Sequence, residues 1–218
     1  MTRQSYKEEV ESLRNDLLKM AHLVEKAIIQ SVESLANKDI ELAKRIIAGD
    51  DVIDDMEHDI EKRCLRLLAL QQPMASDLRA IGTALKIITD LERIADHASD
   101  IAKVTVRLEG QPLIKPLIDI PRMASIAESM IHDVLTAFVD GDAELAEEVS
   151  KRDDDVDNLY SQIFRELLLI MMEDPRTITQ ATYLLFVAQY LERVADHVTN
   201  LSEWVIYMVT GERKELNE

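Results

Sequence analysis

The sequence predicts an all-α protein made of two tandem, homologous three-helix bundles. Apolar residues recur about every 3.6 positions through most of the 218 residues, as they do in amphipathic helices. Only five glycines and five prolines punctuate the chain, which favours a few long helices. The second half repeats features of the first half in the same order, so the fold is expected to contain one unit twice.

Six helical segments follow from this periodicity, at residues 5–36, 39–70, 75–108, 115–139, 142–172 and 177–209. Turn-forming residues lie between them, for example at Asn37–Asp39, around Pro73 and at Asp140–Asp142. Thr177 and Gln180 have the spacing of a capping box, which would start the last helix.

The segments correspond in pairs. The first segment contains Met20, His22 and Val24, which recur in the fourth as Met130, His132 and Val134. The second contains Asp50, Asp51 and Asp54, which recur in the fifth as Asp153, Asp154 and Asp157. The third and sixth share the motif Leu-Glu-Arg-(Ile/Val)-Ala-Asp-His, at 91–97 and 191–197. We therefore divide the chain into residues 1–110 and 111–218. Because a three-helix unit leaves apolar surface uncovered, the two units are expected to pack together.

The apolar side of each helix can be assigned from the pattern. In the second segment the predicted buried stripe is Ile46, Ile53, Ile60 and Leu67. In the third it is Ile87, Leu91, Ile94, Ala98 and Ile101. In the sixth it is Val187, Leu191, Val194, Val198 and Val205. The repeated acidic residues lie beside these stripes rather than within them.

Carboxylates four residues apart on a helix lie one turn apart and repel, which costs roughly 0.2–0.5 kcal/mol per pair. A solvated helical face explains one such pair well. Ordinary surface charge gives no reason for the same register in both halves, however, and two acidic lines on adjacent helices can close around cations. We therefore predict one metal site per bundle, formed by Asp50, Asp54, Glu92, Asp96 and Asp100 in the first and by Asp153, Asp157, Glu192 and Asp196 in the second.

Oxygen ligands of this kind suit hard divalent or trivalent ions, with iron, manganese, magnesium, calcium and zinc as the candidates. The second site is expected to hold fewer or weaker ions because it has fewer charges. Four acids of the first half, Glu57, Glu61, Asp90 and Asp100, correspond to Tyr160, Phe164, Tyr190 and Asn200. Arg93 and Arg193 are expected to pair with the acids and orient them. His97 and His197 point about 100° away from the motif aspartates, which favours packing and hydrogen bonding over metal ligation.

Composition limits the function classes. The net charge is −17, from 25 basic and 42 acidic residues, so binding to nucleic acid is not expected. The only cysteine, Cys64, rules out an internal disulfide and is expected to be a core residue. No signal peptide or long apolar run is present, which indicates a cytoplasmic protein that meets membranes only through partners.

With the repeat, the paired motifs and the stretch "QQPMASDLR" at Gln71–Arg79 in view, the sequence resembles the PhoU family over essentially its whole length. The resemblance implies two three-helix bundles whose acidic motifs hold multinuclear metal clusters. It also implies a negative regulator of phosphate uptake and phosphate-starvation signalling, which connects the ATPase subunit of the phosphate ABC transporter with a phosphate-sensing histidine kinase and forms a homodimer.

Two other functions stay open at this point. One is a carboxylate-bridged metalloenzyme of the di-iron type, although such bundles need inward-facing acids and Glu-x-x-His pairs, which the sequence lacks. The other is a plain acidic helical scaffold. We expect a regulator rather than an enzyme.

Overall fold

The computed structural model describes residues 3–71 and 73–216 and has the predicted architecture of two three-helix bundles. Six long helices and one short helix form the fold, and no strand occurs in these ranges. The helices are α1 (Arg3–Asn37), α2 (Ile40–Gln71), α3 (Ala75–Arg107), α4 (Asp119–Asp140), α5 (Ala143–Ser150), α6 (Asp153–Glu173) and α7 (Ile178–Thr210), and a 3₁₀-helix at Pro175–Thr177 precedes α7.

The first bundle contains α1, α2 and α3, and the second contains α4, α5 with α6, and α7. The division at residues 110 and 111 stays a prediction, and its outer ends, residues 1–2 and 217–218, lie outside the described residues. Gln72, in the turn predicted around Pro73, also lies outside them.

Equivalent turns precede α2 in the first bundle and α5 in the second. Lys38 (φ 55°) and Gly141 (φ 66°) both adopt the left-handed conformation. The residue that follows then caps a helix: Asp39 accepts a hydrogen bond from the Leu42 amide at 2.9 Å, and Asp142 accepts from the Leu145 amide at 3.0 Å. These side chains satisfy backbone donors that have no partner within a helix.

The prediction of one helix over residues 142–172 is wrong. The chain forms α5 and α6, which are separated by a turn at Lys151 and Arg152. The Arg152 guanidinium reaches Asp133 on α4, with 2.6 Å between Nη1 and Oδ2. Asp153, Asp154 and Asp155 then occupy the first turn of α6, where the helix dipole favours negative charge. Both interactions stabilise a new helix start at this position.

The fourth helix begins at Asp119 rather than at residue 115, and the capping box predicted for the last helix is absent. Thr177 makes no side-chain capping hydrogen bond. The Gln180 amide instead accepts from the Ile114 amide at 2.6 Å and donates to the Pro112 carbonyl at 3.0 Å. Gln180 therefore fixes the connecting segment against α7, so this part of the chain is not helical.

The predicted core positions are buried, and the core is shared by the two bundles. Every residue of the three predicted stripes is at most 8% exposed, and Cys64 is fully buried. Residues of α1, α3, α4 and α7 belong to one apolar cluster that passes through both bundles. Between α1 and α4, the carboxylate of Glu25 lies 3.5 Å from the imidazole of His132. The two units therefore pack together, as the sequence predicts.

Candidate functional site

The first set of predicted metal ligands lies where α2 faces α3. Asp50 and Asp54 come from α2, and Glu92 and Asp96 come from α3. Burial raises the pKa of Glu92, and the negative charges of Asp96, Glu57 and Asp54 raise it further. Because Glu57 and Asp54 act from the neighbouring helix, the two acidic lines face each other across the helix pair.

The same site includes Asp50, whose pKa is raised mainly by burial and also by Asp96 and Asp54, while the Ser99 side chain and Lys103 oppose the shift. Asp100 lies at the edge of the cluster and pairs with Lys103, with 2.8 Å between Oδ1 and Nζ. Four of the five predicted residues thus interact with one another through their negative charges, and the fifth, Asp100, is neutralised by a lysine.

The second set lies in the corresponding place, between α6 and α7. The half-buried side chain of Asp153 is its centre: burial raises its pKa to about 7, with further contributions from Asp157, Asp196 and Glu192. One of its oxygens, Oδ1, is buried without a hydrogen-bond partner in the described part of the chain. A buried carboxylate oxygen without a donor is costly unless a proton or a cation compensates it.

The other three acids of this set are perturbed in the same direction. Burial is the largest cause of the raised pKa of Asp157, Glu192 and Asp196. Asp157 adds to the shift of both residues on α7, and Arg193 opposes it. All four predicted residues therefore belong to one electrostatically coupled cluster.

Arginine has the predicted role in the first motif. The Arg93 guanidinium lies 3.4 Å from Glu92 and 3.3 Å from Asp96, so it can orient both carboxylates. Arg193 forms no ion pair within the described ranges, and its influence on Glu192 and Asp196 is through charge alone.

The two motif histidines meet where α3 contacts α7. Their ring centroids are 5.9 Å apart. His197 hydrogen-bonds Asp90, with 2.9 Å between Nδ1 and Oδ1, whereas His97 stacks on Tyr190 with 5.5 Å between ring centroids. Burial lowers the pKa of His97 to about 4, so its ring is neutral at pH 7. These contacts agree with packing and hydrogen bonding, although the buried His97 Nδ1 has no partner among the described residues.

A cavity of about 540 Å³ lies beside these rings. It is lined by repeat-related pairs, namely Arg93/Arg193, Asp96/Asp196, His97/His197 and Asp100/Asn200. The interface between the bundles is therefore organised around the duplicated motif, a placement that periodicity within single helices does not reveal.

The donor chemistry of both clusters fits hard cations. Each cluster supplies carboxylate oxygens from two helices, and the second has a buried oxygen that lacks a donor. In residues 3–71 and 73–216, no three histidine, cysteine, aspartate or glutamate side chains stand in a geometry that could hold a metal ion. A bound ion would therefore require carboxylates to rotate towards one another.

Glu57 and Asp90 are not among the predicted ligands, although the sequence counts both in the charge of the first half. Glu57 accepts a hydrogen bond from Thr89 at 3.4 Å and adds its charge to the first cluster. Glu57 lies about one turn after Asp54, and this spacing predicts that it belongs to the first acidic cluster. No comparable signal marks the contact of Asp90 with His197, since the two residues are 107 positions apart.

Comparisons with known proteins agree with this architecture. The PhoU domain family model matches residues 17–105 and 120–205, one match in each bundle. The chain is 47% identical to a "Phosphate-specific transport system accessory protein PhoU homolog" of Clostridium acetobutylicum over 100% of both chains, and 44% identical to one of Aquifex aeolicus over 94% of this chain and 92% of that protein.

Solved structures show the same fold. PhoU from Pseudomonas aeruginosa superimposes with a TM-score of 0.91 at 39% identity, covering 95% of this chain and 100% of that one. The phosphate transport system regulatory protein PhoU from Streptococcus pneumoniae gives a TM-score of 0.89 at 32% identity, covering 96% and 99%. With two family domains in tandem, whole-length relatives and a shared fold, the chain belongs to the PhoU family.

Proposed function

We propose that this protein is a metal-binding negative regulator of phosphate uptake and of phosphate-starvation signalling. The observation that carries the proposal is the end-to-end match, at 47% identity, to a relative named as an accessory protein of the phosphate-specific transport system. A structural neighbour is named as a regulatory protein of phosphate transport. Association with the regulation of phosphate transport is thus the common element, and the direction and partners of that regulation are our proposal.

The proposed regulator works as an adaptor. Its partners are the ATPase subunit of the phosphate ABC transporter and a phosphate-sensing histidine kinase, and it acts in the cytoplasm as a homodimer. None of the described helices is long and apolar enough to cross a membrane, so membrane contact through partners is consistent with the helices seen. The net charge of −17 favours basic protein surfaces or cations over nucleic acid.

In this proposal the acidic clusters hold metal ions. Asp50, Asp54, Glu92 and Asp96, with Asp100 at the edge, would supply oxygens in the first bundle, and Asp153, Asp157, Glu192 and Asp196 would do so in the second. A bound cation supplies positive charge that offsets the repulsion between carboxylates. Since it would bind the folded arrangement of two helices, it would also stabilise that arrangement by mass action.

A regulatory role is favoured over di-iron catalysis by where the acids lie. Di-iron carboxylate bundles place their glutamates and histidines in the bundle core. Here Glu92 and Glu192 are partly exposed beside the apolar stripes, whereas Leu91 and Leu191 fill the core.

Phosphate uptake by phosphate-replete cells tests the function. We expect faster uptake in cells lacking this protein, with a return to the slower rate when the gene is supplied on a plasmid. Expression of a phosphate-starvation reporter is measured in the same cultures and should rise and fall with uptake. Unchanged uptake and unchanged reporter expression on deletion would contradict the proposal.

A further inference from the structure

An apolar groove lies between α1 and α2 on the outside of the first bundle. It encloses about 390 Å³, and Leu23 and Ala27 of α1 line it opposite Ile46, Val52 and Ile53 of α2. Leu23 is 37% exposed and Val52 is 53% exposed, so apolar side chains border an open space on the surface. Exposed apolar surface of this kind frequently marks a binding site.

The second bundle closes the same place with an ion pair. In the register that relates the two halves, Leu23 corresponds to Asp133 and Gly49 to Arg152. Arg152 Nη1 lies 2.6 Å from Asp133 Oδ2, so the two side chains bridge α4 and the start of α6. At Gly49, in contrast, an added Cβ would meet no atom within 4 Å. The absence of these two side chains leaves the groove open in the first bundle.

The apolar packing beneath the groove is also discontinuous. Ala43 and Ile46 form a small cluster with Ala102, which is separate from the main core. Their counterparts in the second bundle, Ala146 and Val149, belong to the main core. The first bundle therefore has an apolar gap at the level where the second bundle is filled.

Basic residues flank this gap on an otherwise acidic chain. Lys26 and Arg45 line the groove, where the second bundle has Thr136 and Glu148. Neither Lys26 nor Arg45 forms an ion pair within the described ranges. Asp50 also lines the groove, so its charged side chains sum to one net positive charge. The groove thus combines an apolar interior with a net positive charge, which is complementary to an apolar surface bordered by carboxylates.

The dimensions fit a helix. The lining residues of α2 extend from Leu42 to Ile53, and at about 1.5 Å per residue this is roughly three helical turns. Grooves between two helices accept a third helix through apolar residues spaced three or four positions apart.

We propose that this groove binds an amphipathic helix of a partner protein, whose apolar side chains fill the gap between Leu23 and Val52 and whose acidic side chains pair with Lys26 and Arg45. The proposal rests on the adaptor role proposed above, because the helix belongs to a partner. It requires no bound metal, although the groove shares Asp50 with the first acidic cluster.

A photo-crosslinking amino acid at Val52, introduced into the full chain in phosphate-replete cells, identifies what occupies the groove. The matched control carries it at Asp155, the counterpart of Val52. We expect Val52, and not Asp155, to capture a partner segment with apolar residues at helical spacing and flanking acids, identified by mass spectrometry. Capture of lipid, of a second copy of this chain, of a segment without acids, or of nothing would overturn the proposal.

The captured segment is then synthesised as a peptide, and its affinity for the purified protein is measured by fluorescence anisotropy. Closing the groove with Leu23→Asp and Gly49→Arg, or reversing its charge with Lys26→Glu and Arg45→Glu, should weaken binding at least tenfold. Lys62→Glu with Arg66→Glu makes the same change in net charge at exposed positions outside the groove and should leave affinity within threefold. Equal affinity of the charge-reversed protein and the control would overturn the proposal, whether or not the closed variant folds.

Uptake measurements separate this proposal from the proposed function. Faster uptake on deletion, without capture of a helix at Val52, would overturn only the groove proposal. Unchanged uptake and reporter expression on deletion would overturn the function, whatever Val52 captures.

Discussion

The imidazole Nδ1 of His197 on α7 lies 2.9 Å from Oδ1 of Asp90 on α3. The counterparts of these two residues in the repeat, His97 on α3 and Tyr190 on α7, are also in contact, as an aromatic stack. Each motif histidine therefore contacts the residue seven positions before the other histidine. One contact is polar and its counterpart is an aromatic stack, so the two bundles are joined symmetrically in position but not in chemistry.

Loss of the polar contact should destabilise the interface between the bundles. A partly buried hydrogen bond with a charged partner contributes about 1.5–3 kcal/mol, so Asp90→Ala should lower the free energy of unfolding by roughly 1–2 kcal/mol. Urea unfolding of Asp90→Ala, His197→Ala and the double variant gives the interaction energy. Additive single effects would show that the contact contributes nothing of its own.

The stability of the metal-free protein should depend on the charge of Asp153. Its pKa rises from 3.8 to about 7 on folding, so ionisation is less favourable in the folded state. Stability from this group is present below pH 3.8 and is lost as pH rises to about 7. Asp153→Asn should therefore stabilise the chelator-treated protein at pH 8, by about 1–2 kcal/mol after allowing for solvent screening, and should have little effect at pH 4.

Thermal unfolding at both pH values measures this difference. Asp155→Asn is the control, because Asp155 is exposed, lies only two positions after Asp153 and should change stability by less than about 0.5 kcal/mol. A gain for Asp153→Asn that is equal at pH 4 and pH 8 would contradict the expected titration.

Metal content should depend on the motif carboxylates. Replacing Glu92, Asp96, Glu192 and Asp196 together by alanine should abolish metal retention, because each cluster loses the ligands from one of its helices. Replacement of Glu92 and Asp96 on α3 is expected to remove more metal than replacement of Glu192 and Asp196 on α7, since Glu57 adds its charge only in the first half, where its counterpart is Tyr160. Elemental analysis after dialysis, with circular dichroism as a check of folding, measures both. Unchanged metal in the fourfold variant would exclude these sites.

Gln180 should be more important for stability than an ordinary surface glutamine. Gln180→Ala removes two hydrogen bonds to the connecting segment and leaves the Ile114 amide without its acceptor. We expect a loss of about 1–3 kcal/mol in denaturant unfolding. Gln162, which donates one exposed hydrogen bond to Asp119, provides the comparison, and Gln162→Ala should cost much less. Equal losses would mean that the connecting segment is held by other contacts.

Two glycine substitutions should have opposite signs. Gly49 is inside α2 with open space around it, so Gly49→Ala should stabilise the protein by about 0.5–1 kcal/mol through helix propensity. Gly141 has φ 66° in the turn before α5, and Gly141→Ala should destabilise through backbone strain, by about 1 kcal/mol. Thermal unfolding distinguishes the two, and a stabilising Gly141→Ala would contradict the assignment of strain.

The fold was predictable because its signals are local and repeated. Heptad-like spacing identified the stripe from Ile46 to Leu67, and the duplicated motif on α3 and α7 identified the two bundles. The break before α6 was missed, because no glycine or proline marks it and a long-range ion pair from Arg152 to Asp133 helps to fix it. Three consecutive aspartates were the available signal, since they are typical of a helix start.

The candidate site was predictable only in part. Four-residue spacing placed Asp50 with Asp54 and Glu92 with Asp96 on single helices, and the coupling between these helices follows from their packing. The meeting of Asp90 with His197 depends on how α3 crosses α7, which no spacing within one helix specifies. The same limit applies to the groove, since only the comparison of Gly49 with Arg152 in three dimensions reveals an opening.

The continuous core bears on how a duplicated protein can change over time. Because one apolar cluster passes through both bundles, most of the interior is shared, and a substitution inside one bundle affects the packing of the other. The surfaces are less restrained. Tyr190 of the second half stands where the first half has Asp90, and the partly exposed ion pair of Arg152 and Asp133 occupies the place that is an open groove in the first bundle. Fusion of the interiors thus lets the two halves of the gene acquire different surface roles while they continue to share a single fold.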